Sequence, residues 1–144
     1  MALNISKELE EQARREEGLW VDVGSGASVL MSDPRSNAFQ KSLQREETQY
    51  RKRNGIRKGK DLTTDERADV MWRAMFKNVV REWKGFVTED DKGGKEKPLE
   101  FTLENFLFLM NDVWRVREAV MAFAADDETF DDAEDREELA KNSG

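Results

Sequence analysis

The chain has 144 residues, 38% hydrophobic and 38% charged, with 31 acidic against 24 basic side chains and a net charge of −7. That length suits one domain with a modest core, and a mean hydropathy of −0.85 leaves part of the chain for solvated tail. Cysteine and histidine are both absent, which excludes disulfides, thiolate nucleophiles and cysteine-based zinc sites and removes the commonest general base and transition-metal ligand.

No Asp/Glu spacing matches a calcium loop, and no glycine-rich stretch reads as a P-loop. The expectation is a binding protein and not an enzyme, with no catalytic residue, no cofactor and no metal. An acidic chain argues against nucleic acid as the main partner. The N-terminus lacks the apolar run of a signal peptide, and no stretch approaches the roughly 20 apolar residues that span a bilayer. These features predict a soluble cytoplasmic protein without a membrane partner. Four Trp and eight Phe nonetheless require that part of the chain folds.

In chain order, Ser6 to Glu17 is charged and helix-prone, with Leu9 and Ala13 four apart, and reads as a short exposed helix stopped by Gly18. The β-prone runs Trp20 to Val23 and Ala27 to Met31, joined by Gly24-Ser25-Gly26, predict a β-hairpin. No Gly-Lys-Ser/Thr and no helix start follow those glycines, so they read as a turn and not a phosphate cradle. After Asp33-Pro34 a helix is expected from about Arg35 to Arg53, anchored by Phe39, Leu43 and Tyr50 and ended by Asn54-Gly55. Near its end lies a charged patch of Arg51, Lys52, Arg53, Arg57, Lys58 and Lys60, with no acid between. Such a patch can contact nucleic acid or an acidic protein. It can equally be a solvated helix end whose cations suit the negative pole of the helix dipole, the preferred reading without interleaved aromatics.

Thr63-Thr64-Asp65-Glu66 is a capping box. The helix it opens carries Ala68, Met71, Met75, Val79 and Trp83 along one side, with Trp72, Phe76 and Val80 beside them, and Gly85 is expected to close it. Phe86 to Thr88 and Leu99 to Phe101 flank a polar, glycine-containing segment that reads as a small second hairpin or loop. Thr102 caps a helix with Leu103, Phe106, Leu107 and Met110 on one face. Asn111-Asp112 interrupts it and re-caps a last helix with Val113, Val116, Val120, Phe123 and Ala124 at helical spacing. From Asp126 onward acids nearly saturate the chain, and Phe130 and Leu139 are the only large apolar residues. That run reads as a mobile solvated tail. The alternative is that it folds back onto the basic cluster or shields a sticky surface.

The fold expected is α+β, mainly α-helical, with four or five helices, a small N-terminal β-hairpin and a mobile acidic C-terminal tail. The divisions are 1–17 as an exposed helix, 18–125 as the domain and 126–144 as the tail.

Three stretches in order carry a resemblance: Val79 to Val87 with Trp83-Lys84-Gly85, then Lys97-Pro98-Leu99-Glu100-Phe101-Thr102-Leu103-Glu104-Asn105, then the helix from Arg117 toward Phe130. This series is similar to the tail assembly chaperones of long-tailed bacteriophages, and Gly18 to Gly24 with the Phe39 helix resembles their front part. The resemblance covers all but the first helix and the acidic tail. It implies an assembly role in the host cytoplasm: holding the tape measure protein in soluble form, recruiting tail-tube protein subunits, and absence from the finished virion. A longer frameshifted form is common in that family. Homo-oligomerisation stays open.

A chaperone for amphipathic helices needs adaptable aromatic and Met-rich surface. The candidate partner-binding residues are Trp72, Phe76, Trp83, Phe86, Phe106, Met110, Trp114 and Phe123, most of which must also supply the core of so small a domain. Trp114 lies off the Val113/Val116/Val120 face and is expected to be exposed. Two other readings stay beside the first: a structural component of the phage tail or head–tail junction, and a small nucleic-acid-binding regulator using Arg51 to Lys60.

Overall fold

The computed structural model describes residues 2–90 and 93–125. Helix α1 (Ile5–Glu17) starts at Asn4, whose side chain accepts the Lys7 N–H, and Gly18 turns the chain into strand β1 (Leu19–Gly24). β1 pairs antiparallel with β2 (Ala27–Met31), Trp20 opposite Leu30 and Val21 opposite Val29. The expected hairpin is therefore present. Its turn is fixed by the Asp22 carboxylate, which accepts the Gly24 N–H at 2.8 Å.

Helix α2 (Asn37–Asn54) begins two residues later than expected. Asp33 accounts for the delay: it accepts the Arg35 backbone N–H at 2.9 Å and the Arg35 guanidinium at 3.1 and 3.0 Å. A local side-chain bond of this kind competes with helical backbone bonding, so Arg35 stays outside and Ser36 becomes the N-cap. Gly55, in the left-handed region, ends the helix as expected.

Helix α3 (Thr64–Asn78) opens with the capping box, Thr63 and Glu66 satisfying each other's backbone N–H. The expectation that this helix runs to Trp83 and is closed by Gly85 is corrected. It stops at Asn78, and Val80–Lys84 forms strand β3, antiparallel to β2 in a sheet of order β1-β2-β3. Val29 faces Trp83 and Leu30 faces Glu82, but Met31 faces Val80, so the register shifts past Arg81. That bulge turns Val80 and Trp83, three apart, toward the same side. Both are buried while Arg81 and Glu82 are exposed. A bulged strand therefore reproduces the three-residue spacing of a helix. The helix end is held by Ser32, whose N–H donates to the Val79 carbonyl at 2.8 Å and whose hydroxyl donates to the Asn78 carbonyl at 3.0 Å.

Gly85 has a different role from a helix cap. It sits at φ +80°, and a Cβ there would run into the Gly26 carbonyl and stand 2.9 Å from the Ala27 Cα. Strands β4 (Val87–Glu89) and β5 (Glu96–Pro98) form the second hairpin, Val87 opposite Pro98. Thr102 caps α4 (Leu103–Asp112), and α5 (Trp114–Ala125) follows after a break at Val113, which has extended backbone. Val113 serves both helices: its N–H donates to Leu109 and its carbonyl accepts from Arg117, each at 3.1 Å.

One cluster forms the core, joining Val29 and Met31 of the sheet with Met75 and Val79, Phe106 and Met110, and Val120 and Phe123 from the region of α3, α4 and α5. α2 contributes Phe39 to it. Its other buried residues are Ser42 and Glu46, which meet the Asn78 amide and the Lys77 ammonium of α3. The architecture is α+β with five helices and two small antiparallel sheets among the described residues. The expected acidic tail, 126–144, lies outside the described residues.

Candidate partner-binding surfaces

The aromatic residues divide by depth. Trp72, Trp83, Phe106, Met110 and Phe123 are buried in the core, Phe76 and Phe86 are half-buried, and Trp114 is 71% exposed, as its position off the apolar face predicts. In this conformation the five buried side chains are packing residues, so a partner reaches them only through their neighbours.

The structure gathers four of the eight candidates into one aromatic group. Trp83 lies 5.7 Å from Phe86 and 4.7 Å from Phe101, both edge-on, and Phe76 lies 4.8 Å from Phe101 and 5.6 Å from Phe106. Edge-on rings at such spacings attract beyond the area they bury, and the two Phe76 contacts are tilted. The Trp83 indole N–H donates to the Leu99 carbonyl at 2.9 Å, which ties β3 to the segment leading into α4. Phe101, absent from the candidates read from sequence, links the two halves of the group and keeps 39% of its surface exposed.

On α4 and α5 two further exposed residues were missed, Phe108 at 52% and Met121 at 40%, while Leu3, Ile5, Leu9, Trp20 and Val87 are exposed elsewhere. A signal existed for both. Phe108 lies off the Leu103/Phe106/Leu107/Met110 face of α4, and Met121 stands seven residues after Trp114, on the same stripe of α5. The same argument that predicted Trp114 to be exposed applies to each.

A second surface lies where α2 meets α3. A cavity of about 390 Å³ has Leu43, Leu62, Val70 and Met71 as its apolar lining and Glu47, Arg51, Asp61 and Arg67 as its charged lining. A neighbouring hollow of about 500 Å³ shares Glu47 and Arg51 and adds Thr48, Lys52, Ile56, Lys58 and Gly59. Arg51 stands between them as a clip. Its guanidinium donates to the Arg57 and Lys60 carbonyls at 2.9 and 2.7 Å and pairs with Glu47 at 3.2 Å.

The six-residue charged patch is therefore divided. Arg51 is committed to holding the turn, whereas Lys52, Arg53, Arg57, Lys58 and Lys60 are exposed and form no ion pair among the described residues. Nearby, the Thr63 backbone N–H holds the Glu66 carboxyl below its ordinary range, and the Thr63 hydroxyl, Lys60 and Arg51 act in the same direction.

Among the described residues no cluster of carboxylates could hold a metal ion, and no helix is long and apolar enough to cross a membrane. A protein-family model described as YdaY prophage protein matches residues 33–142, from just past β2 through α5 and on into the acidic run. No curated protein and no solved structure matches the chain.

Proposed function

Because the chain belongs to the YdaY prophage protein family and is phage-derived, we propose that it is a tail assembly chaperone which binds the tape measure protein and helps recruit tail-tube subunits. On this reading it acts in the host cytoplasm without catalysis or cofactor and is not retained in the mature virion. The observation that carries the proposal is the apolar surface left on the two C-terminal helices. α5 presents Trp114 and Met121 along one stripe, and α4 adds Phe108. Large apolar groups exposed on a helical pair let a protein cover the apolar face of a partner helix. Met and aromatic side chains suit a client with many similar segments, because they repack at little cost.

The test is co-expression with the tape measure protein of the same prophage, followed by affinity capture. The client is expected to become soluble and to co-purify. Replacing Trp114 and Met121 together by serine is expected to abolish capture while the protein stays folded. A client equally insoluble with and without this chain would sink the proposal. Mass spectrometry of purified virions separates the alternative, since stoichiometric retention would make the protein a structural component.

A further inference from the structure

Charge is distributed unevenly between the described part of the chain and the part that follows it. Residues 1–125 hold 22 acids and 22 bases, so the whole net charge of −7 resides in 126–144, with nine acids against Arg136 and Lys141. The exposed cations are just as local. Lys52, Arg53, Arg57, Lys58 and Lys60 occupy the end of α2 and the turn after it, and Lys52 and Lys58 line the hollow that also contains Ile56.

We propose that the acidic segment 126–144 of the same chain docks on this basic turn at the end of α2, against the hollow lined by Lys52, Ile56 and Lys58. Three observations choose that occupant. Its charge is complementary: nine carboxylates face cations that have no ion-pair partner among the described residues. Its apolar content also fits, since Phe130 and Leu139 are its only large apolar residues and the hollow beside Lys52 and Lys58 has Ile56 in its lining. Its length is the third: the 19 residues after Ala125 can extend about 60 Å, against about 27 Å for α2, the longest helix among the described residues. Tethering raises the local concentration of such a segment to the millimolar range, which favours it over an acidic partner supplied from solution. The family match, which runs to residue 142, includes both the basic turn and the acidic segment.

The basic turn is then an occupied surface, and an acidic partner reaches Lys52 and Lys58 by displacing the segment. Contacts between exposed charges weaken as the screening length falls from about 10 Å at 0.1 M salt to about 3 Å at 1 M, so displacement is sensitive to ionic strength.

The test is zero-length carbodiimide cross-linking of the full chain at low and high salt, with the linked peptides identified by mass spectrometry. At low salt, Lys52, Lys58 and Lys60 are expected to link to carboxylates of 126–138 within monomers. The yield is expected to fall about tenfold at 1 M salt and in Arg53→Glu/Arg57→Glu, which keeps all three lysines. Links spread evenly over Lys41, Lys84 and Lys97, or yields unchanged by salt and by the double variant, would overturn the proposal. Links confined to covalent dimers would overturn it in favour of a second copy. A duplex oligonucleotide supplies the other control. Asp131→Asn/Asp132→Asn/Glu134→Gln/Asp135→Asn in the full chain is expected to raise duplex affinity about tenfold by uncovering the cations. Equal affinity of parent and variant would show the basic turn already open and overturn the proposal.

Discussion

Replacing Gly85 with alanine separates two accounts of the segment from Val79 to Phe86. If Gly85 merely capped a long helix, the substitution would cost only what a side chain loses at positive φ, about 1–2 kcal/mol, less about 0.4–1 kcal/mol regained from a stiffer unfolded chain. In the structure Gly85 follows strand β3 and lies against the backbone of the β1–β2 turn, where an added Cβ meets the Gly26 carbonyl and the Ala27 Cα. Backbone atoms cannot swing aside as a flexible side chain can, so a steric cost of about 1–3 kcal/mol is added. Gly26 is the internal control. It has φ +81°, close to the +80° of Gly85, yet a Cβ there meets nothing within 4 Å. The difference between Gly85→Ala and Gly26→Ala therefore isolates the close approach and is expected to be about 1–3 kcal/mol. Urea unfolding followed by tryptophan fluorescence measures it, with Trp83 on β3 as a nearby probe. Equal costs for the two variants would refute the packing of β3 on the hairpin and return Gly85 to the role of a helix cap.

Further measurements test other parts of the structure. Lys77→Ala leaves the carboxylate of Glu46, which is 3% exposed, without its ammonium partner; a loss of about 2–4 kcal/mol is expected in urea unfolding, largely recovered when Glu46→Gln is added. Thr63→Ala removes the N-cap of α3 and is expected to cost about 1 kcal/mol. Because the folded Glu66 carboxyl sits below its ordinary value, its contribution is present above that ordinary value and is lost as pH falls through the folded one. Glu66→Gln, which removes the carboxylate that the Thr63 backbone N–H holds, is therefore expected to show a shallower acid limb of stability against pH than the parent. Arg51→Lys keeps the charge but loses the planar fork that spans two carbonyls and a carboxylate. Hydrogen exchange at Ile56 and Lys60 is expected to rise, with α4 and α5 unchanged. Trp114→Ser, at a site 71% exposed, is expected to leave stability within about 0.5 kcal/mol, whereas a larger loss would mean that Trp114 packs within the domain.

Much of the fold was legible because local chemistry decided it. The Gly24-Ser25-Gly26 turn, the Thr63 and Thr102 caps and the Asn54-Gly55 stop each act within a few residues, and each appears where its residues stand. β3 was not legible, because its identity depends on a partner distant in sequence. Only pairing with β2 makes Val80–Lys84 a strand, and the bulge past Arg81 disguises it by giving Val80 and Trp83 a helical spacing. The candidate surfaces were half legible for a related reason. Periodicity shows which residues share a face, and so exposed Trp114; the same reading, applied to Phe108 and Met121, finds the rest. It could not reveal that Arg51 would be withdrawn from the charged patch, because that clip depends on how the turn after α2 folds back.

The order of the three strands also bears on the route by which the chain folds. The hairpin β1–β2 closes over the two-residue turn Ser25-Gly26, but pairing Met31 with Val80 encloses everything from Ser32 to Val79. Closing so long a loop directly carries an entropic cost that a shorter one avoids. α2 and α3 fill that loop, and their pairing through Ser42 with Asn78 and Glu46 with Lys77 returns the end of α3 to the start of α2, beside the free edge of β2. The helical pair thus acts as a splint that brings the two strands together. In stopped-flow refolding, Ser42→Ala is accordingly expected to lower the folding rate, whereas Val87→Ala, on the outlying β4–β5 hairpin, is expected to leave it unchanged.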